Sequence, residues 1–187
     1  MDKKYLHVIT HYAPDFHYGG VVESGYQLFQ CLKKLGDFRI VAVSNNPEQV
    51  EKNMQSEGRC YKSIYFHRYA FSVNAVWGLW RDVKNADVVY SNGIVTFPMT
   101  LAQFYAVLLK KPFAVATHGL TQWSMAYKKW RKLIYFNLIA FPLMRRAKFI
   151  RVTAEAEEQF LKSKGFTNTL MISNGITVDD FNDLPDK

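Results

Sequence analysis

Asp87-Val88-Val89-Tyr90-Ser91-Asn92-Gly93 leads into a helical pattern from Phe97 to about Leu109, and then into Pro112-Phe113-Ala114-Val115-Ala116-Thr117. The two short runs are apolar throughout and do not alternate with polar residues, which marks strands covered on both faces. The segment between them is long enough for a crossover helix. Strand, helix, strand is the repeating unit of a parallel sheet.

The unit repeats in both directions. Towards the N-terminus, Leu6 to Thr10 reads as a strand, His11 to Gly20 as a loop, and Val22 to about Leu35 as a helix. Val22, Tyr26 and Phe29 share one face of that helix, and Leu28, Leu32 and Leu35 widen it. Lys33 and Lys34 in the last turn, followed by Gly36, suit its end. Phe38 to Ser44 is the next strand; the polar segment Pro47 to Arg59 is expected as a loop, and Tyr61 to Tyr69 as a strand. Towards the C-terminus, an apolar helical region reaches about Arg146, with a kink expected at Pro142, before the strand Phe149 to Val152. Thr153 is the expected N-cap of the following helix, whose dipole Glu155, Glu157 and Glu158 complement. Lys162, Lys164 and Gly165 form its stop signal, and Leu170-Met171-Ile172 is a last strand. The expected fold is α/β, a Rossmann-like parallel sheet flanked by helices on both faces.

A length of 187 residues suits one domain, and 49% hydrophobic with 21% charged residues is the balance of a globular chain. Disordered, collagen-like and polytopic membrane classes are thereby excluded. Ile134 to Met144 is very apolar but too short to span a bilayer. Two cysteines, Cys31 and Cys60, exclude a disulfide scaffold and a four-cysteine zinc site. The N-terminal Met1-Asp2-Lys3-Lys4 runs straight into strand-like sequence without the features of a signal peptide, so a cytoplasmic protein is expected.

In an open parallel sheet, ligands bind beyond the carboxyl ends of the strands. The loop His11-Tyr12-Ala13-Pro14-Asp15-Phe16-His17-Tyr18-Gly19-Gly20 begins at one such end and opens a helix, whose N-terminus favours an anion. It lacks the Gly-x-Gly-x-x-Gly dinucleotide fingerprint, and a plain flexible turn would also use Gly-Gly. Thr117-His118-Gly119 begins at another end. An imidazole there would face the crevice, where it could meet a sugar hydroxyl or steady a reacting oxygen; alternatively it caps the next helix. Ser91-Asn92-Gly93, Thr153-Ala154-Glu155 and Ser173-Asn174-Gly175 mark the remaining ends, with small or amide side chains suited to hydroxyl-rich ligands. No Gly-x-Ser-x-Gly is present, and neither metal hydrolysis nor serine esterase chemistry is expected.

Taken in order, His-Tyr-Ala-Pro-Asp-x-x-x-Gly-Gly, Thr-His-Gly, Val-Thr-Ala-Glu and Ser-Asn-Gly-Ile-x-x-x-x-Phe give residues 5–181 a recognisable outline. It resembles the N-terminal half of the retaining glycosyltransferases with the two-domain GT-B fold, the family four type. The resemblance implies transfer of a sugar from a nucleotide diphosphate sugar with retention, and no other cofactor or metal. It implies that Gly19 and Gly20 approach the donor pyrophosphate and that His118 lies beside the transferred sugar. The same half would mostly bind the acceptor, a cell-envelope glycan or lipid-linked molecule, for which His11, Tyr12, Asp15, Asn92, Thr117, Gly119 and Glu155 are the candidate contacts. Residues 1–178 would be that domain and 179–187 the start of the interdomain linker. The family's donor-binding glutamates and phosphate-binding Arg and Lys belong to a second domain, whose sequence is not in this chain. The chain alone is therefore expected to be inactive, needing a donor-binding domain in cis or trans. The competing readings are a stand-alone, non-catalytic Rossmann-like binding or membrane-docking module, and an unrelated nucleotide-binding enzyme of the same fold.

The net charge of +8 is uneven. Val88 to Ala154 contains no acid but ten bases, Lys110, Lys111, Lys128, Lys129, Arg131, Lys132, Arg145, Arg146, Lys148 and Arg151, so the rest of the chain nets −2. Leu120, Trp123, Tyr127, Trp130 and Ile134 would share one helical face, with Lys128, Lys129 and Lys132 opposite and Arg131 at its flank. Such a helix could lie at an anionic membrane interface, placing the protein peripherally at the inner face of the plasma membrane; alternatively its stripe packs on the sheet. Nucleic acid is the weaker use of the same charge, because no recognition helix or aromatic sheet motif accompanies it.

Overall fold

The computed structural model describes residues 3–64, 69–119 and 130–175. Seven strands occur among them: β1 (Lys4–Val8), β2 (Asp37–Ser44), β3 (Gly58–Lys62), β4 (Val88–Ser91), β5 (Phe113–Ala116), β6 (Phe149–Val152) and β7 (Thr169–Met171). They form one sheet in the order β3-β2-β1-β4-β5-β6-β7, every pair parallel. Tyr5 of β1 lies between Phe38 of β2 and Val88 of β4. The strand order reverses between β1 and β4, and such a reversal opens a crevice at the carboxyl edge.

The helices are α1 (Gly20–Leu32), α2 (Pro47–Met54), α3 (Val73–Asn85), α4 (Phe97–Leu108), α5 (Trp130–Tyr135), α6 (Phe141–Arg146) and α7 (Glu155–Ser163). Two cores show that both sheet faces are covered. Val41 and Val43 of β2 join the larger core with α3, α4, α6 and α7, while Ile40 and Ala42 join Phe29, Val50 and Met54 of α1 and α2. Alternate residues of one strand thus enter opposite layers. The Rossmann-like expectation is met.

Several boundaries differ from the sequence reading. Pro47–Met54 is a helix, not a loop: proline suits its first turn, and Val50 and Met54, four apart, are buried beneath otherwise polar residues. The next strand begins at Gly58 and ends at Lys62, earlier than expected. A side chain at Gly58 would strike the Ile40 carbonyl. The sequence reading gave no element to Val73–Asn85. There Ser72 Oγ accepts from the Ala75 amide at 3.3 Å, and Ala75, Leu79 and Val83 recur every fourth residue to fill the core. The first helix stops at Leu32, leaving Leu35 79% exposed. Before α6 the irregularity is a π-helical turn, Phe136–Ala140, and Pro142 sits at the start of α6, directly after it. Trp130 and Ile134 are 65% and 48% exposed, so at these two positions the aromatic stripe does not pack on the sheet. Leu120, Trp123, Tyr127, Lys128 and Lys129 lie outside the described residues, as do residues 176–187.

Candidate functional site

The loops after β1, β4 and β5 meet at the carboxyl edge around Asn92, which is fully buried. Its Nδ2 donates to the Val21 carbonyl of α1 at 3.4 Å, and its Oδ1 lies 2.9 Å from His118 Nε2. Because Oδ1 can only accept, Nε2 carries the imidazole proton and Nδ1 is left as an acceptor. Gly25 makes this approach possible: a Cβ there would strike Ile9 and lie 2.6 Å from Asn92 Nδ2. His118 itself holds a left-handed backbone (φ 48°) between Thr117 and Gly119 (φ 72°). That conformation, uncommon for a non-glycine residue, recurs at functional loops.

Burial, and secondarily the charge of Arg151, lowers the His118 imidazole from 6.5 to about 4. The ring is neutral at physiological pH. Arg151 is a buried cation whose Nε donates to the Ile172 carbonyl at 3.0 Å and whose second Nη donates to the Ser173 carbonyl and Asn174 Oδ1 at 2.9 and 3.0 Å. The remaining Nη donates to Tyr90 Oη at 3.3 Å. One guanidinium therefore fastens the segment after β7 to the underside of the site.

The turn carrying His118 rests on Glu157, a buried carboxylate of α7. Its Oε1 accepts from the Gly119 amide at 2.8 Å and its Oε2 from the Thr153 amide at 3.3 Å. The residue preceding α7 is Ala154, with no side-chain cap, so Thr153 does not serve as the expected N-cap. Glu155 is exposed and bonds Gln159 on the outer surface of the helix. Glu157 was foreseen as a dipole partner; its role under Gly119 was not. Its only sequence signal is its place in the first turn of α7.

The remaining candidates divide between crevice and scaffold. Gly19 caps α1 with φ 104°, a backbone that favours glycine. A Cβ at Gly20 would meet nothing within 4 Å, so the space over the α1 N-terminus is open. His11 is buried and stacks on Tyr18 with ring centroids 3.7 Å apart, and burial lowers its pKa despite the opposing charge of Asp15. Asp15 accepts from Ser44 Oγ at 2.8 Å, stapling the loop to β2. Tyr12 is fully buried against Tyr26 and Phe29, with Gln30 Nε2 3.0 Å from its hydroxyl, so it supports the loop from below. Thr117 is buried and donates to the Arg151 carbonyl at 3.3 Å. His118, Asn92, Gly119 and the α1 N-terminus are thus brought together, whereas Tyr12, Asp15 and Glu155 point elsewhere. Among the described residues, no cluster of three His, Cys, Asp or Glu could hold a metal ion.

No protein-family model and no curated protein matches the chain. Solved structures do. Alr3699/HepE of Anabaena, in complex with UDP and glucose, is similar over 95% of this chain and 46% of its own, with a TM-score of 0.66 and 15% identity. The MnaA–UDP complex of S. aureus matches 92% of this chain and 44% of its own (TM-score 0.60, 13% identity). The UDP-GlcNAc 2-epimerase of Methanocaldococcus jannaschii matches 91% and 45% (TM-score 0.57, 13% identity). At such identities the likeness is one of fold: this chain has the architecture of one half of a GT-B-type protein. It spans less than half the length of each of these neighbours.

Proposed function

We propose that the chain is the acceptor-binding half of a retaining glycosyltransferase of the GT-B family four type, acting with a donor-binding half that supplies the nucleotide diphosphate sugar. The acceptor is a cell-envelope glycan or lipid-linked molecule. The observation that carries the proposal is the convergence of a neutral His118, buried Asn92 and the open N-terminus of α1 at the strand-order reversal. An α-helix N-terminus with unobstructed glycine suits a pyrophosphate. The His118 Nδ1 lone pair suits a sugar hydroxyl as hydrogen-bond donor, and a neutral ring places no fixed charge against the sugar. Similarity to proteins solved with UDP and glucose supports the nucleotide-sugar class.

Half of the site cannot exclude water or orient the donor, so the isolated chain is expected to show no transferase turnover. The test joins this chain to a donor-binding half and follows sugar transfer, with His118→Ala beside it. Transfer in the joined protein, reduced by about a hundredfold or more in the variant, is the expected outcome. Turnover by this chain alone, or transfer unimpaired in His118→Ala, refutes the assignment.

A further inference from the structure

The layer formed by α3, α4 and α5 has an outer surface that the sheet does not explain. α3 packs on α4, where Tyr105 Oη donates to the Val76 carbonyl at 3.0 Å, and α5 is tied to α4 through Thr100 Oγ1 and Tyr135 Oη, 2.7 Å apart. Inward, Leu79, Ala102, Ala106 and Phe136 fill the core. Outward, these helices expose Trp77, Phe104, Leu108 and Ile134, and the π-helical turn exposes Leu138, with Trp77 at 71% and Leu138 at 72% exposure. Phe104 and Leu108 are four residues apart on α4, and the π-helical turn brings Leu138 and Ile139 out while burying Phe136 and Ala140. Exposed apolar residues scattered singly need no explanation, but this many large ones on neighbouring helices do.

The charge around this band has one sign. From Val73 to Arg146 the only carboxylates are Asp82 and Asp87. Asp82 is turned to β3, where Tyr61 Oη donates to it at 2.7 Å and Arg59 approaches at 3.8 Å. Asp87 accepts from the Lys4 amide at the amino end of the sheet. The cations Arg81, Lys110, Arg131, Arg146 and Lys148 are exposed on or beside the helices of this layer, whereas Arg145 is turned to Lys164 and Phe166. Among the described helices, none is long and apolar enough to cross a bilayer.

We infer that the outer face of α3, α4 and α5 docks on an anionic lipid bilayer, with the apolar band entering the headgroup–acyl boundary and the cations meeting lipid phosphates. An apolar strip rimmed by Lys and Arg has the chemistry of an interfacial anchor. Nucleic acid would use the cations but leave the apolar band in water. The surface is three helices wide and includes Trp77 and Phe104, beyond the single 120–134 helix suggested by sequence. It does not depend on the glycosyltransferase assignment, because docking requires only this chain.

The test is co-sedimentation of the whole chain with phosphatidylcholine vesicles, with and without phosphatidylglycerol. Binding is expected only to the anionic vesicles, weakening as salt screens the cations. Trp77→Ser with Phe104→Ser, and separately Lys110→Glu with Arg146→Glu, should each weaken it by about tenfold or more. Circular dichroism and thermal unfolding check that the variants are folded. Should one fail to fold, brominated lipid on the unaltered chain gives the answer: tryptophan fluorescence is expected to be quenched in anionic vesicles, less so in a folded Trp77→Phe protein. Equal binding to neutral vesicles, no binding to either, or folded variants that bind normally would overturn the inference. So would absent vesicle binding together with concentration-dependent self-association or oligonucleotide binding through this face.

Discussion

His118 Nε2 lies 2.9 Å from Asn92 Oδ1, and the opposite end of the same amide reaches the Val21 carbonyl of α1. One buried side chain therefore sets the tautomer of the imidazole and its position against the helix N-terminus. Replacing Asn92 by Asp puts a carboxylate where the amide oxygen was and favours the imidazolium. The His118 pKa, about 4 in the native protein, is expected to rise by about one to three units in Asn92→Asp. NMR titration of the His118 ring measures it. An unchanged pKa would mean that the two groups do not touch.

Gly25 tests the same relationship from the other side. Its missing Cβ leaves room for Ile9 and Asn92 at once. Gly25→Ala forces both to move, and overpacking of this kind costs roughly 1–3 kcal/mol. Urea unfolding should show that loss, and the His118 ring resonances should shift with it. A variant as stable as the parent, with unshifted His118 signals, would contradict the packing described.

The strand-forming runs were legible because they are mostly apolar, and Phe113–Ala116 lies within the run read from Pro112 to Thr117. α2 was not legible, since only Val50 and Met54 face inward and the remaining residues read as a polar loop. The carboxyl-edge loops could be located from where the strand-like runs end, and so Gly19, Asn92 and His118 were each named as candidates. Side-chain direction could not be read this way. Glu155 and Glu157 are two residues apart on one helix, about 200° around its axis, and only Glu157 turns under the site. Tyr12 follows the same rule, lying beside His11 in the chain but facing α1.

Glu157 is the support whose removal should be felt most. It satisfies the amides of Gly119 and Thr153 from a buried position. Glu157→Ala leaves both without their acceptor, a loss of roughly 2–3 kcal/mol by denaturant titration. Glu157→Gln keeps one acceptor oxygen and should lose less. Equal stability of Ala and Gln variants would show that the carboxylate oxygens are not what holds the turn.

His7 of β1 gives the fold a dependence on pH that lies apart from the candidate site. Its ring is fully buried, edge-on to Tyr90 at 5.1 Å and Phe29 at 6.1 Å, and neither ring nitrogen has a hydrogen-bond partner. Burial, with smaller contributions from His118 and Arg151, lowers its pKa from 6.5 to about 3. Between these values the unfolded chain binds a proton that the native state refuses, so stability falls as pH drops from 6.5 towards 3. The slope for one such group is about 1.4 kcal/mol per pH unit. His118 adds to it in the same direction down to about 4, and neither group contributes above 6.5. His7→Phe removes one proton from that balance and two orphaned nitrogens from an aromatic site. Its stability at pH 7 should therefore be no lower than that of the native chain. Its loss between pH 6.5 and pH 5 should be smaller by about 2 kcal/mol. Urea unfolding of both proteins at three pH values measures the difference directly, because groups common to the two cancel. Parallel stability curves would mean that His7 takes up its proton in the native state and that its burial is not what excludes it.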